Sequence, residues 1–237
     1  MLIKKWEKLP PELQIDEVRP YYEILRKKNF SLFWKRVFDI TVSGIVLLLI
    51  LPFFFIISLA IVIDSRGPVF YRQERVTQYG EHFRIFKFRS MVIGADKKGT
   101  LVTTNNDARV TRVGKFIRKC KIDEMSQLID IFRGTMTFIG TRPEVPKYVN
   151  QYKAEYLATL LLPAGVSSTA SIMFKDENKM LDEAENADEA YLNQILPIKM
   201  RYNLTDLKKF GFWRDIKLCF MTVFGVLGKK YKEDNQQ

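Results

Sequence analysis

The segment Arg118-Lys119-Cys120-Lys121-Ile122-Asp123-Glu124 sets two adjacent carboxylates directly after a run of cations, and Gly140-Thr141-Arg142-Pro143-Glu144 follows a short way downstream. Carboxylates at a helix start meet backbone donors and the positive end of the helix dipole, which favour the ionised form. An ionised aspartate is a nucleophile toward phosphorus, provided that nearby cations neutralise the phosphate it attacks. Arg118 and Arg142 are the candidates for that neutralisation. A divalent ion such as Mg²⁺, held by one or two carboxylates and by phosphate oxygens, would complete the set. Taken singly, each residue also has a plainer reading as a helix cap or a surface ion pair. An Asp-Glu pair alone is a weak signal.

Other residues invite chemistry less strongly. His82 is the only histidine and falls between two strand-like segments, where a surface turn residue is expected rather than a catalytic base. Cys120 adjoins cations that would lower a thiol pKa, but a semi-buried helix position is the safer expectation. Phe83, Phe86 and Phe88 could stack on a planar base or simply pack a hairpin. Lys87 and Arg89 are candidates for phosphate or for lipid headgroups. The acidic stretch Asp182-Glu183-Ala184-Glu185 reads as a solvated helix face before it reads as a metal site.

The elements that must position these groups can be traced along the chain. Val69–Arg75 and Phe83–Arg89, separated by a turn around Tyr79-Gly80, predict a short β-hairpin. From Thr111 the spacing of Val113, Phe116 and Ile117 among basic residues predicts a helix. A second is expected from Asp123 or Glu124 to Phe132, with Gly134 at its carboxyl cap. Residues 175–189 read as helical or exposed, residues 191–202 as a helix interrupted by Pro197, and Phe210–Leu227 as an interfacial or core-packed amphipathic helix. The first 29 residues, with Leu9-Pro10-Pro11 and Arg19-Pro20, predict a short helix or two rather than a folded domain.

Ile40 to Ile63 is almost wholly apolar. A straight helix of that length reaches roughly 36 Å, against roughly 30 Å for a bilayer's hydrocarbon core. Pro52 removes a backbone donor and crowds the preceding turn, so a bend there would leave two limbs of about 17 Å. Lys27, Lys28, Lys35 and Arg36 precede the run and Arg66, Arg72 and Arg75 follow it. A spanning helix usually carries its positive excess on one side, so these similar flanks suit a segment that enters and leaves on one face. A single pass with a proline stays open. Phe30, Phe33 and Trp34 have the character of interfacial anchors.

The 237 residues carry 38 Lys and Arg against 27 Asp and Glu, a formal charge of +11. That balance suits anionic headgroups or phosphate-bearing substrates, and no zinc-finger spacing or RNA-recognition signature points to nucleic acid. Two distant cysteines, Cys120 and Cys219, suggest neither a disulfide framework nor a metal cluster and fit a reducing compartment. Residues 1–36 are long and charged, unlike a cleavable signal.

Five segments in order give a resemblance: Gly67-Pro68-Val69-Phe70-Tyr71-Arg72-Gln73-Glu74-Arg75, Phe83-Arg84-Ile85-Phe86-Lys87-Phe88-Arg89-Ser90-Met91, Thr111-Arg112-Val113-Gly114-Lys115-Phe116-Ile117-Arg118-Lys119, Ile122-Asp123-Glu124 and Gly140-Thr141-Arg142-Pro143. The chain resembles the bacterial sugar transferases, the monotopic polyprenol-phosphate phosphoglycosyl transferases that initiate surface glycan assembly. The likeness runs from the apolar run to about Pro146 and is weaker beyond. It implies a mainly α fold with a short β-hairpin, a re-entrant membrane helix bent at a proline, and a membrane-apposed cytosolic catalytic domain with amphipathic interfacial helices. Residues 1–35 would form an amino-terminal cytosolic or interfacial segment, 36–66 the re-entrant helix and 67–237 the catalytic domain.

The resemblance further implies Mg²⁺-dependent transfer of a phosphosugar from a UDP-sugar to polyprenol (undecaprenyl) phosphate at the cytoplasmic face of the bacterial inner membrane, as in capsule, O-antigen or exopolysaccharide assembly. By position, Asp123 matches the nucleophile, Glu124 a metal-binding partner carboxylate, Arg118 and Arg142 phosphate contacts, and Pro52 the helix break. Leu51, Lys121, Ser126 and Thr135 depart from the pattern, where serine, a small hydroxyl residue, proline and an acid are usual. A homo-oligomer stays open. The rivals are a non-enzymatic basic adaptor anchored to membrane lipid or a partner protein, and a lipid phosphatase using the same carboxylates.

Overall fold

A computed structural model describes residues 2–95, 108–174, 177–182, 184 and 186–226. The amino-terminal stretch forms two short 3₁₀ turns and helix α1 (Arg19–Arg26). Helix α2 (Asn29–Asp64) follows as one 36-residue element with Pro52 inside it. Strands β1 (Phe70–Val76) and β2 (His82–Phe88) make the expected antiparallel hairpin, with Tyr71 opposite Lys87. Tyr79 takes a φ of 61° in the turn between them, followed by Gly80 at 78°. Such positive values bring the chain round in few residues.

Helix α3 (Arg112–Lys119) begins where the sequence predicts, because the Thr111 hydroxyl accepts the Gly114 N–H at 3.0 Å. The next helix starts later than expected. Lys121 adopts the left-handed region at φ 57°, and Ile122–Gln127 forms a 3₁₀ segment before helix α4 (Leu128–Arg133). A residue with a Cβ is strained in that region, and the reversal lays the Asp123-Glu124 turn against strand β2. Gly134 closes α4 at φ 95°, its N–H shared between the carbonyls of Asp130 and Ile131, as predicted.

Strand β3 (Met136–Ile139) pairs in parallel with β4 (Ala164–Ser167), a sheet that the apolar pattern did not reveal. Between them lie helix α5 (Pro146–Val149) and a 3₁₀ stretch over Ala154–Leu161. Helices α6 (Thr169–Met173), α7 (Glu177–Asp182) and α8 (Ala187–Ala190) lead through a π-helical turn, Tyr191–Ile195, into α9 (Leu196–Lys208). Pro197 stands in the first turn of α9, directly after the π-helical turn, so the helical path changes character at the proline without stopping there. Glu183 and Glu185 of the acidic stretch lie outside the described residues. Helix α10 is described over Phe212–Val226, and Leu227 is also outside the described residues.

The amino-terminal stretch is no separate appendage. Leu13, Val18, Tyr22 and Leu25 share one apolar cluster with Ala158, Leu161, Leu204 and Leu207. Short elements with few apolar residues of their own gain a core only by joining another.

Both limbs of α2 pack on the same body. Before Pro52, Arg36 caps the carboxyl end of α4 through the carbonyls of Ile131 (2.7 Å) and Phe132 (3.0 Å). Asp39 accepts from the Thr137 hydroxyl at 2.7 Å and the Phe138 N–H at 3.3 Å. Lys35 pairs with Asp215 of α10 at 2.5 Å and donates to the Ile139 carbonyl at 2.8 Å. After Pro52, Phe54, Ile57 and Ile61 join Phe88, Ile117 and Ile122 in a second cluster. The rest of the helix is bare: only 17 % of its most apolar 18-residue window is buried, and Leu48, Leu49, Leu51, Phe55, Ile56 and Ile63 are each at least 62 % exposed. A soluble core helix would not leave so much apolar surface in water. Helix α10 shows the same division, with Asp215 and Leu218 buried and Trp213, Phe220 and Val223 outward.

Candidate active site

A cleft of about 530 Å³ opens between the hairpin, the loop after it and the Asp123 turn. Asp123, Arg118, Lys87 and Arg89 line it, together with Arg72, Arg75, Arg109 and the rings of Phe70, Tyr71 and Phe88. Glu124 and Arg142 are not part of its lining. They stand beside it, joined to each other. Arg142 reaches both Glu124 oxygens, Nη1 lying 3.2 Å from Oε2 and Nη2 contacting Oε1, while Lys87 Nζ approaches Oε1 at 3.5 Å. A forked guanidinium is the strongest ordinary partner for a carboxylate.

The two neighbouring acids therefore have opposite electrostatics. Burial alone would raise Glu124, but Arg142 and then Lys87 outweigh it and hold its pKa down near 2. Asp123 is pushed up, first by burial and then by the Glu124 charge, with Lys87 and Lys121 opposing. Its Oδ1 is buried without a hydrogen-bond partner. Glu124 is thus held ionised, though by Arg142 and Lys87 rather than by the helix start, and Asp123 departs from the expectation. A 3₁₀ turn at a buried position supplies less dipole than it costs in lost solvation.

The cations divide in the same way. Among the described residues the Arg118 side chain has no ion pair, and it lines the cleft alongside Asp123. It is positioned by α3, whose Gly114 lies so close to strand-following Ser90 that an added Cβ would stand 2.0 Å from the Ser90 carbonyl. Lys87 faces Glu124, and burial pulls its pKa down despite that partner. Arg89 lines the cleft too, and its guanidinium is engaged with main-chain carbonyls. Its guanidinium donates to the carbonyls of Arg66 (3.1 Å) and Ser65 and lies 3.5 Å from that of Ile61, closing the carboxyl end of α2. A long buried cation meets exposed helix carbonyls there more readily than it meets a ligand.

Lesser expectations resolve similarly. His82 is exposed and its Nδ1 lies 2.8 Å from Glu74, well apart from the acids. Cys120 is exposed rather than semi-buried, because α3 ends at it. Phe88 is in the core against Phe54 and Phe70, and Phe86 carries Arg72 over its ring at 3.4 Å, so hairpin packing accounts for both. Arg75, Asp130 and Glu144 were not singled out for a role. Arg75 lines the cleft and donates to the Pro143 carbonyl at 3.0 Å, and Asp130 accepts the Phe86 N–H at 2.8 Å, tying the open side of β2 to α4. No spacing rule marks a charged residue that meets its partner only across the fold.

The family model described as bacterial sugar transferase matches residues 30–229, from the start of α2 to beyond α10. The chain belongs to the bacterial sugar transferase family. Relatives of this bacterial sugar transferase include a UDP-glucose:undecaprenyl-phosphate glucose-1-phosphate transferase of Klebsiella pneumoniae, 31 % identical over 85 % of this chain and 42 % of the relative. The protein of the same description from Escherichia coli (strain K12) is 32 % identical over 80 % and 39 % of the two chains. A UDP-N-acetylgalactosamine-undecaprenyl-phosphate N-acetylgalactosaminephosphotransferase of Aeromonas hydrophila is 33 % identical over 82 % and 44 %. The chain thus spans about two fifths of the length of these curated relatives. Their names carry different sugars, so likeness to them does not choose one.

A divalent ion is the cofactor this family resemblance implies. Among the described residues no group of three or more metal-ligating side chains occurs. The chemistry fits a Mg²⁺ shared with a ligand's phosphates better than a protein cage, since Mg²⁺ takes one or two carboxylates and keeps its other positions for water or phosphate. Asp123, with an unpartnered Oδ1, is the first donor available, and Glu124 is already held by two cations.

Proposed function

We propose that this chain moves a sugar 1-phosphate from a UDP-sugar to undecaprenyl phosphate, through a covalent intermediate on Asp123. The observation that carries this reading is Asp123 itself: a carboxylate with an unpartnered oxygen on the wall of a cation-lined cleft, next to an acid that is already neutralised. An Asp123 oxygen attacks the sugar-bearing phosphorus as the bond to the bridging oxygen breaks, and UMP leaves with that oxygen and its electron pair. An oxygen of undecaprenyl phosphate then attacks the same phosphorus. The bond to Asp123 breaks, the carboxylate is restored and undecaprenyl diphosphate sugar is formed. Asp123 and Glu124 would hold Mg²⁺, which when bound would neutralise diphosphate charge. Arg118 supports the transferring phosphate, while Arg142 and Lys87 keep Glu124 ionised and in place.

The covalent step suits two substrates of unlike solubility, because each can arrive in turn. One limb of α2 and then the other packs on the same domain, which supports a re-entrant helix bent at Pro52 with both ends on one face. The outward apolar sides of α2 and α10 would meet lipid, and use of a nucleotide sugar would favour a site on the cytoplasmic face of the bacterial inner membrane. A basic adaptor would have no use for a partly buried aspartate of this kind. The test is a panel of UDP-sugars incubated with the full chain and Mg²⁺, first without and then with undecaprenyl phosphate. UMP release and label transfer to lipid support the proposal. Free inorganic phosphate would identify a phosphatase, and lipid binding without chemistry would identify the adaptor.

A further inference from the structure

Along β1 the residues Tyr71, Gln73 and Arg75 share one face, and Lys87, opposite Tyr71 on β2, belongs to that face too. Arg75 and Lys87 both line the cleft that holds Asp123 and Arg118. Lys87 faces Glu124, whereas Arg75 has no carboxylate within ion-pair distance among the described residues. Its partners are neutral. Nη1 donates to the Pro143 carbonyl at 3.0 Å and Nη2 to Gln73 Oε1 at 2.7 Å, while Nε is buried with no hydrogen-bond partner. Glu144, in the segment strapped to β1, turns its carboxylate to Tyr191 and Lys199 instead.

These bonds hold the guanidinium in place without cancelling its charge. A half-buried cation without a counter-charge costs free energy, and a guanidinium carries more N–H donors than two bonds use. An anion with several acceptor oxygens meets both needs, and the cleft is the side from which one can reach Arg75. Neighbouring arginines are committed elsewhere. Arg72, on the other face of β1, donates to the Arg84 carbonyl at 3.1 Å and lies over the Phe86 ring, and Arg89 closes the end of α2.

Resting on the transfer reading, we infer that Arg75 binds a phosphate group other than the one transferred, with Gln73 as the positioning residue that sets its fork. Arg118 supports the transferring phosphate from α3, so two arginines on different elements serve different phosphates. Two sources offer the second group: the uridine-side phosphate of the donor and the phosphate of the lipid acceptor.

The experiment uses the full chain with Mg²⁺ and separates these sources. One arm measures the UDP-sugar concentration that half-saturates single-turnover UMP release without lipid, and the other the KM for undecaprenyl phosphate in label transfer. Arg75→Gln is expected to raise one or both values about 10- to 100-fold, the range for a lost hydrogen bond to a charged group, with less change in the saturated rate. A rise for UDP-sugar assigns the donor phosphate, and a rise for undecaprenyl phosphate assigns the acceptor. Arg75→Lys, which keeps the charge, is expected to raise the same value less, as is Gln73→Leu, which leaves Arg75 and its bond to Pro143. Unchanged values for both substrates, a loss confined to the saturated rate, or a Lys variant no better than the Gln variant would overturn the inference. If the wild-type chain releases no UMP from any donor, the transfer reading fails, and calorimetric titration of inorganic diphosphate into the full chain decides for Arg75. Weaker binding to Arg75→Gln then supports the phosphate site, and equal binding overturns it.

Discussion

Arg142 grips both carboxylate oxygens of Glu124, while Asp123, the next residue back, has an Oδ1 that meets no donor. One acid is neutralised, and the other keeps an oxygen without a partner. Replacing Arg142 with Met leaves Lys87 as the ion-pair partner of Glu124 among the described residues, and the Glu124 pKa should rise from about 2. UMP release is expected to fall about 100-fold or more, in the range seen when an electrostatic contact of an active site is lost. Arg142→Lys should recover only part of it, since an ammonium cannot fork. Full activity in the Lys variant would remove the need for the bidentate contact.

The proposed transfer requires an ionised Asp123, whose pKa is raised by burial and by Glu124. The acid limb of the pH–rate profile should therefore lie above the ordinary carboxylate value of about 3.9. Glu124 stays charged throughout that range. A limb at or below the ordinary value would contradict the assignment.

The same raised pKa has a sign for stability. A carboxylate whose folded pKa exceeds its unfolded value opposes folding when ionised, and this penalty vanishes only as pH drops below the unfolded value. Asp123→Asn should therefore raise the melting temperature at neutral pH while cutting UMP release by about a thousandfold or more. At pH 4 the stability gain should shrink. A variant both less stable and inactive at neutral pH would favour a structural role for Asp123.

Lys35 and Asp215 join α2 to α10 at 2.5 Å with side chains only 4 % and 10 % exposed. Lys35→Met strands a buried carboxylate and should cost about 3–5 kcal/mol in chemical denaturation. Adding Asp215→Leu should restore much of it. Equal losses in the single and double variants would show that the pair is not coupled.

Same-face topology predicts that Lys4→Cys and Lys153→Cys, both exposed, label together. In a Cys120→Ser background, a membrane-impermeant maleimide should reach both in inverted vesicles and neither in right-side-out ones. Labelling from opposite sides would establish a single pass.

The elements legible in the sequence were those marked by local chemistry. Thr111 and Gly134 announced the ends of helices α3 and α4, alternating residues around Tyr79-Gly80 announced the hairpin, and Pro197 marks a change from the π-helical turn to α9 rather than a break. The β3–β4 sheet escaped notice because its four-residue strands are parallel and far apart in sequence, so no turn joins them and no alternation shows. The start of the Asp123 turn escaped too. Lys121 takes a left-handed conformation that side-chain type does not foretell.

By itself the sequence determined that a long apolar helix accompanies a basic, mainly helical domain, and that ordered motifs around Asp123 and Arg142 mark a bacterial sugar transferase. Those properties depend on composition and on neighbours along the chain. Only the tertiary structure decided that Asp123 and Glu124, adjacent and chemically alike, differ in charge environment, that Arg89 closes a helix, and that Glu144 is buried beside Tyr191 and Lys199. A carboxylate's pKa and a cation's partner depend on desolvation and on charges brought within a few ångströms, and residues far apart in the chain supply those charges.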